Sequence, residues 1–164
     1  MQQYNIYKTD LSDLSEIMPI YSHARDLMNS HDNYQWDEYY PTKEMIIGDI
    51  KQEKHFSIKE NNEIIGVFTL VDYDSLYDDI DGKWLNDNPY VEIKRIALKK
   101  LNFPLISYII NWVFKKCPNI KVDTGEDNIA VQRVLEHNNF VCCGKLKPAQ
   151  YRETITWFVY QKIK

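Results

Sequence analysis

A carboxylate inside a predicted strand is the first candidate for chemistry. Glu92 lies in NPYVEIKRIAL, residues 88–98, whose β-prone residues predict a long strand. Beside a wet cleft, a carboxylate so placed can take a proton from an ammonium, directly or through water. Desolvation would raise its proton affinity. The plainer reading pairs Glu92 with Lys94, which shares its face of the strand. A second group is aromatic: Trp36, Tyr39 and Tyr40 in QWDEYYPT, with Trp84 and Tyr90 further on. Aromatic faces among acidic residues suit a cationic amine. Their alternative is ordinary packing of loops onto a sheet.

Other chemistries find little support. Asp74, Asp78, Asp79 and Asp81 cluster ahead of Gly82, but an EF-hand register there puts Tyr77 at the first ligand position and Asn88 at the twelfth. No metal is expected. His23, His31, His55 and His137 are scattered and read as surface or capping residues. There is no HExxH motif and no Ser/His/Asp order. Cys117, Cys142 and Cys143 form no CxxC pair and read as reduced, mostly buried thiols of a cytoplasmic protein. The 164 residues, 44% of them hydrophobic, predict one globular domain spanning 1–164. A net charge of −4 without a Lys/Arg run argues against nucleic acid as a partner. The first ten residues lack the basic and apolar regions of a signal peptide. The longest apolar stretch, 105–114, is too short to span a bilayer, so no membrane partner is expected.

The elements that must position these groups follow from periodicity. Residues 2–8 read as a strand. Leu11, Leu14, Ile17, Tyr21, Ala24 and Met28 recur at helical steps, with Thr9 or Asp10 as cap and Pro19 marking a kink or a second start. Thr42 opens a second helix. HFSIKE and IIGVFTLVDY form a hairpin about Asn61-Asn62. An acidic loop leads to the strand of Glu92. LISYIINWVFKK is a helix, NIKVDT a strand and DNIAVQRVLEHNN a helix capped at Asp127-Asn128, before two final strands, FVCCGKL and TITWFVYQK. This order predicts an α/β (α+β) fold with a mixed sheet.

VDTGEDNIAVQRVLEHNNFVCCG, residues 122–144, resembles the strand, "DTH-x-DN", helix and "GF-x-x-CG" motif of bacterial small-molecule members of the GCN5-related N-acetyltransferase (GNAT) superfamily. QWDEYYPT resembles their "QW…YP" stretch, and the strand of Glu92 resembles their central strand, usually ending "HRIA-V". The resemblance covers nearly the whole chain. It implies a mostly antiparallel sheet of about seven strands, about four helices and a splayed strand pair. It also implies an acetyl-CoA-dependent N-acetyltransferase acting on the primary amine of a small molecule, with a homodimer left open. The backbone of Ile96, Ala97 and Leu98 would pair with the pantetheine arm, and the amides of Leu105, Ile106 and Ser107 would face the pyrophosphate at a helix start. Lys99 and Lys100 would add charge, and Asn128 would hydrogen-bond the arm. Glu92 matches the base of the histone-modifying branch; Trp36, Tyr39, Tyr40 and Trp84 would line the acceptor side.

Several positions depart from the family pattern. Its glycines at the helix start fall at Pro104 and Ile106, and Lys94 stands where histidine is common. Gly125 replaces the histidine of "DTH", Leu135 the tyrosine acid, and Asn139 a glycine. Together these make a catalytically silent module of the same fold, binding a ligand or protein partner, the rival expectation.

Overall fold

The computed structural model describes residues 3–147 and 155–164. Among them, four α-helices accompany an eight-stranded, mostly antiparallel sheet in the order β1-β2-β3-β5-β6-β8-β7-β4. The strands are β1 (Asn5–Lys8), β2 (His55–Glu60), β3 (Glu63–Val71), β4 (Ile80–Gly82), β5 (Val91–Leu98), β6 (Asn119–Gly125), β7 (Val141–Leu146) and β8 (Trp157–Ile163). The helices are α1 (Leu14–Ser30), α2 (Lys43–Lys51), α3 (Phe103–Lys116) and α4 (Ile129–His137). The chain divides into two compact units, Met1–Leu70 with Ile93–Leu101, and Val71–Glu92 with Asn102–Lys164.

In the first unit, Asp10 starts the helical region. Its carboxylate accepts from Ser12 N at 2.8 Å, while Asp13 Oδ2 accepts from Asp10 N at 3.1 Å, a reciprocal cap. A 3₁₀ turn over Leu11–Asp13 leads into α1, which continues past Pro19. Thr42 Oγ1 caps α2 by accepting from Met45 N. Asn61 and Asn62 take φ of 49° and 65°, the left-handed pair that a tight β2–β3 hairpin needs. Ile17, Ile20, Tyr21, Ile46, Ile64, Val67 and Ala97 form the core of this unit. Burying each large aliphatic side chain contributes roughly 1.5–3 kcal/mol. Gly66 is what lets β3 approach β5: a Cβ there would lie 2.7 Å from Leu98 Cδ2.

The second unit holds one departure from expectation. The end of the acidic stretch is a strand, β4, antiparallel to β7 with Gly82 opposite Gly144. Both glycines have positive φ, and a Cβ on either would lie within about 2.2 Å of a facing carbonyl oxygen. Two glycines 62 positions apart in sequence therefore permit a crossing that local acidity conceals. Helix α3 buries Leu105, Ile106, Ile109, Ile110 and Val113. Asn139, in place of a family glycine, sits at φ 64° after α4, as asparagine tolerates. Among the described residues, no helix is long and apolar enough to cross a membrane.

Candidate active site

Strand β5 belongs to both units, and each half carries different chemistry. Its first half pairs with β6 in parallel, with Val91 opposite Ile120 and Glu92 opposite Lys121. This register places Glu92, Lys121 and Asp123 on one face of the sheet. Glu92 is 1% exposed. The Tyr77 hydroxyl stands 3.0 Å from Glu92 Oε1 and 2.8 Å from Asp123 Oδ2. Burial, then the two carboxylates, push the Tyr77 phenol well above its ordinary range, so it keeps its proton. The hydroxyl has one hydrogen and therefore shares it between the two carboxylates.

Beside this triad, the Lys121 ammonium lies 4.0 Å from the Trp84 ring centre and 4.1 Å from that of Tyr90. Burial lowers its affinity for its proton. The aromatic faces expected to greet a substrate ammonium thus hold one supplied by the chain itself. Trp84 Nε1 also donates to Tyr77 O at 2.9 Å, tying the cage to the triad.

In the first unit, residue 95 interrupts β5. Arg95 has φ 52°, a left-handed backbone inside a strand, which for such a residue costs on the order of 1–3 kcal/mol. Its Nη1 donates to Asp49 Oδ2 at 3.1 Å, and Asp49 also accepts from Thr69 Oγ1 at 2.9 Å. The guanidinium lies over the Tyr40 ring at 5.6 Å. Beyond residue 95, Ile96 is half-buried and Ala97 and Leu98 are buried.

The remaining candidates separate. Trp36 is 5% exposed and sits in the core against Tyr21 and Tyr40, whereas Tyr39 is 72% exposed. Asn128 Oδ1 accepts from Val131 N and so caps α4. At the start of α3, Leu105 N donates to Asn102 Oδ1 at 3.0 Å, and the amides of Leu105 and Ile106 both reach Asn102 O. Pro104 has no N–H to offer. Ser107 Oγ accepts from Asn138 Nδ2. Lys99 is engaged by Glu63 at 2.7 Å. Leu135 is buried and brings no acid. No group of three or more His, Cys, Asp or Glu able to hold a metal occurs among the described residues.

His55 corrects its sequence reading as a surface or capping residue. It is fully buried, with Nδ1 2.6 Å from Thr9 Oγ1 and Nε2 2.8 Å from Tyr21 OH. Burial, and then Arg95, lower its pKa to about 4. Nothing in the local sequence marks Tyr77, Lys121, Asp49 or the left-handed conformation of Arg95. For Lys121 the alternation in NIKVDT points the other way: Asn119, Lys121 and Asp123 share a face that pattern alone assigns to solvent.

No family model matches the chain, and no curated protein sequence does. Solved structures do. A GNAT-family acetyltransferase from Streptococcus agalactiae is similar at 26% identity, over 100% of this chain and 98% of that one, with a TM-score of 0.87. The chain belongs to the GNAT superfamily. An N-acetyltransferase from Staphylococcus aureus Mu50 is similar in fold at 17% identity, over 99% of each chain, with a TM-score of 0.66. So is yncA from Salmonella typhimurium, solved with its cofactor acetyl-CoA: 16% identity over 98% of this chain and 94% of that one, TM-score 0.64.

Proposed function

We propose that the protein is an acetyl-CoA-dependent N-acetyltransferase acting on the primary amine of a small molecule. The observation that carries this reading is the end-to-end likeness to the Streptococcus agalactiae GNAT acetyltransferase, which includes the strand of Glu92. The acetyl-CoA of yncA supports the choice of acyl donor. The backbone of Ile96, Ala97 and Leu98 would accept the pantetheine arm, with Asn128 as a further contact. Acetyl-CoA would supply an acyl thioester open to direct attack. Glu92 would take the proton that the attacking amine loses, and Tyr77 would hold its carboxylate in place. Thiolate would leave without a protein acid, since Leu135 offers none. Tyr39 and Tyr40 would line the acceptor side, with Trp36 supporting them from the core and Trp84 holding Lys121.

The silent-module reading keeps specific support of its own. Asn102 occupies the Leu105 amide, and Lys121 fills an aromatic cage that a substrate cation would use. Release of free thiol from acetyl-CoA over a panel of primary amines separates the two readings. Turnover of at least one amine is expected. Glu92→Gln should lower that turnover by about 10²-fold. Absence of turnover over the panel favours the module, and turnover unchanged in Glu92→Gln removes Glu92 from the mechanism.

A further inference from the structure

We propose that the Arg95–Asp49 ion pair is a positioning device: it pins residue 95 in the left-handed region and so sets where the backbone of Ile96, Ala97 and Leu98 stands. The inference rests on the reading of that backbone as part of the acetyl-CoA site. It begins from an anomaly. Residue 95 lies inside an eight-residue strand, yet its φ is 52° and it is not glycine. An L side chain disfavours that conformation, so surrounding contacts must hold it.

Three segments converge to do so. Asp49 comes from α2, which Ile46 and Ile50 anchor in the core. Thr69 of β3 fixes the Asp49 carboxylate through its hydroxyl. Tyr40, ahead of α2, covers the guanidinium. The Arg95 and Asp49 side chains are each 14% exposed, so salt screens the pair little. Arg95 Nε is buried without a hydrogen-bond partner among the described residues. A guanidinium with one buried donor unmet, on a strained backbone, is a poor way to stabilise a core. What the arrangement delivers is a backbone position.

That position propagates along the strand. Glu92 and Ile93 are buried in succession before residue 95, and Ala97 and Leu98 in succession after it, with Lys94, Arg95 and Ile96 half-buried between them. The far end carries a backbone contact that reports on this position. Lys99 N donates to Ile65 O at 2.9 Å, and Gly66 leaves room for Leu98 but for no Cβ of its own. Residues 96–98 are thus clamped between the ion pair and the β3 contact.

The test uses the whole protein and two readouts: calorimetric titration with acetyl-CoA, and amide hydrogen exchange at Lys99 without ligand. Arg95→Ala loses the pair, while its Cβ still disfavours the positive φ. It should weaken acetyl-CoA binding about tenfold and speed Lys99 exchange by a similar factor. Arg95→Gly also loses the pair but takes positive φ freely, and it should bring both values to within about threefold of the parent. Asp49→Asn preserves shape without charge; it should weaken binding in the parent and change nothing once residue 95 is glycine. Equal losses in Arg95→Ala and Arg95→Gly would overturn the proposal, because the guanidinium would then act on the ligand or on the core. Unchanged binding and exchange in Arg95→Ala would also overturn it. A parent that binds no acetyl-CoA sinks the functional reading instead, and the ligand-free exchange still decides the fate of the lock.

Discussion

Residues Arg95–Leu98 and Asn102–Ser107 are separated by three positions, and family resemblance assigns both to one ligand. They differ in what that assignment needs from them. The strand contributes backbone, and any side chains will serve if the left-handed residue is held. Here Asp49, Thr69 and Tyr40 hold it. The helix start must contribute vacant N–H groups. Asn102 takes that of Leu105, Pro104 has none, and Ile106 has become a core residue. A role carried by backbone geometry survives drift in side chains, whereas a role carried by unfilled donors is lost once a good cap fills them.

This contrast can be broken most severely at the helix. Restoring both family glycines, Pro104→Gly with Ile106→Gly, should cost about 4 kcal/mol or more, since a buried isoleucine is emptied and a helix interior gains glycine. Pro104→Gly alone should cost about 1 kcal/mol. Urea unfolding measures both. A double variant no less stable than Pro104→Gly alone would show that Ile106 is not built into the core.

On the strand side, the sharpest handle is the charge of His55. Its folded pKa is lowered to about 4, below that of the unfolded chain, so the unfolded state binds the extra proton more readily. Stability is therefore full above about pH 6.5 and falls as pH drops through that value toward 4, by roughly 3 kcal/mol for this residue. His55→Gln should remove that share of the pH dependence. Parallel stability curves for parent and variant between pH 7 and 4 would contradict it.

The smallest effect returns to the cap. Asn102→Gly frees the Leu105 amide at a cost of a few tenths of a kcal/mol. Acetyl-CoA affinity should rise by up to about tenfold. Calorimetry reads this directly, and an unchanged or weaker affinity would mean that the amide does not face the phosphates.

How much of this was legible in sequence depended on whether one segment carried the information. The hairpin at Asn61-Asn62, the Thr42 cap and the helix expected over 105–116 are local, and periodicity and turn chemistry place them, the helix starting two residues earlier at Phe103. Strand β4 looks like loop in the local sequence because its partner glycine, Gly144, lies far along the chain. His55 and Lys121 look solvent-facing by alternation, since a polar residue on one strand face carries no sign of what will cover it. Tyr21 and Thr9 cover the first, Trp84 and Tyr90 the second. Arg95 was legible as a strand residue but not as a left-handed one, because the contacts that hold it come from Asp49 and Thr69. The departures at Pro104 and Ile106 were visible at once. Their consequence, an amide already capped, required the position of Asn102.

The central claim is that the held strand keeps acetyl-CoA binding alive despite the filled helix start. Calorimetric titration of the unmodified protein with acetyl-CoA tests it most directly, with melting temperature as a parallel readout. The account predicts saturable binding of one acetyl-CoA per chain and a melting temperature that rises with ligand, because acetyl-CoA binds the native state alone. No heat and no shift at millimolar acetyl-CoA would contradict it.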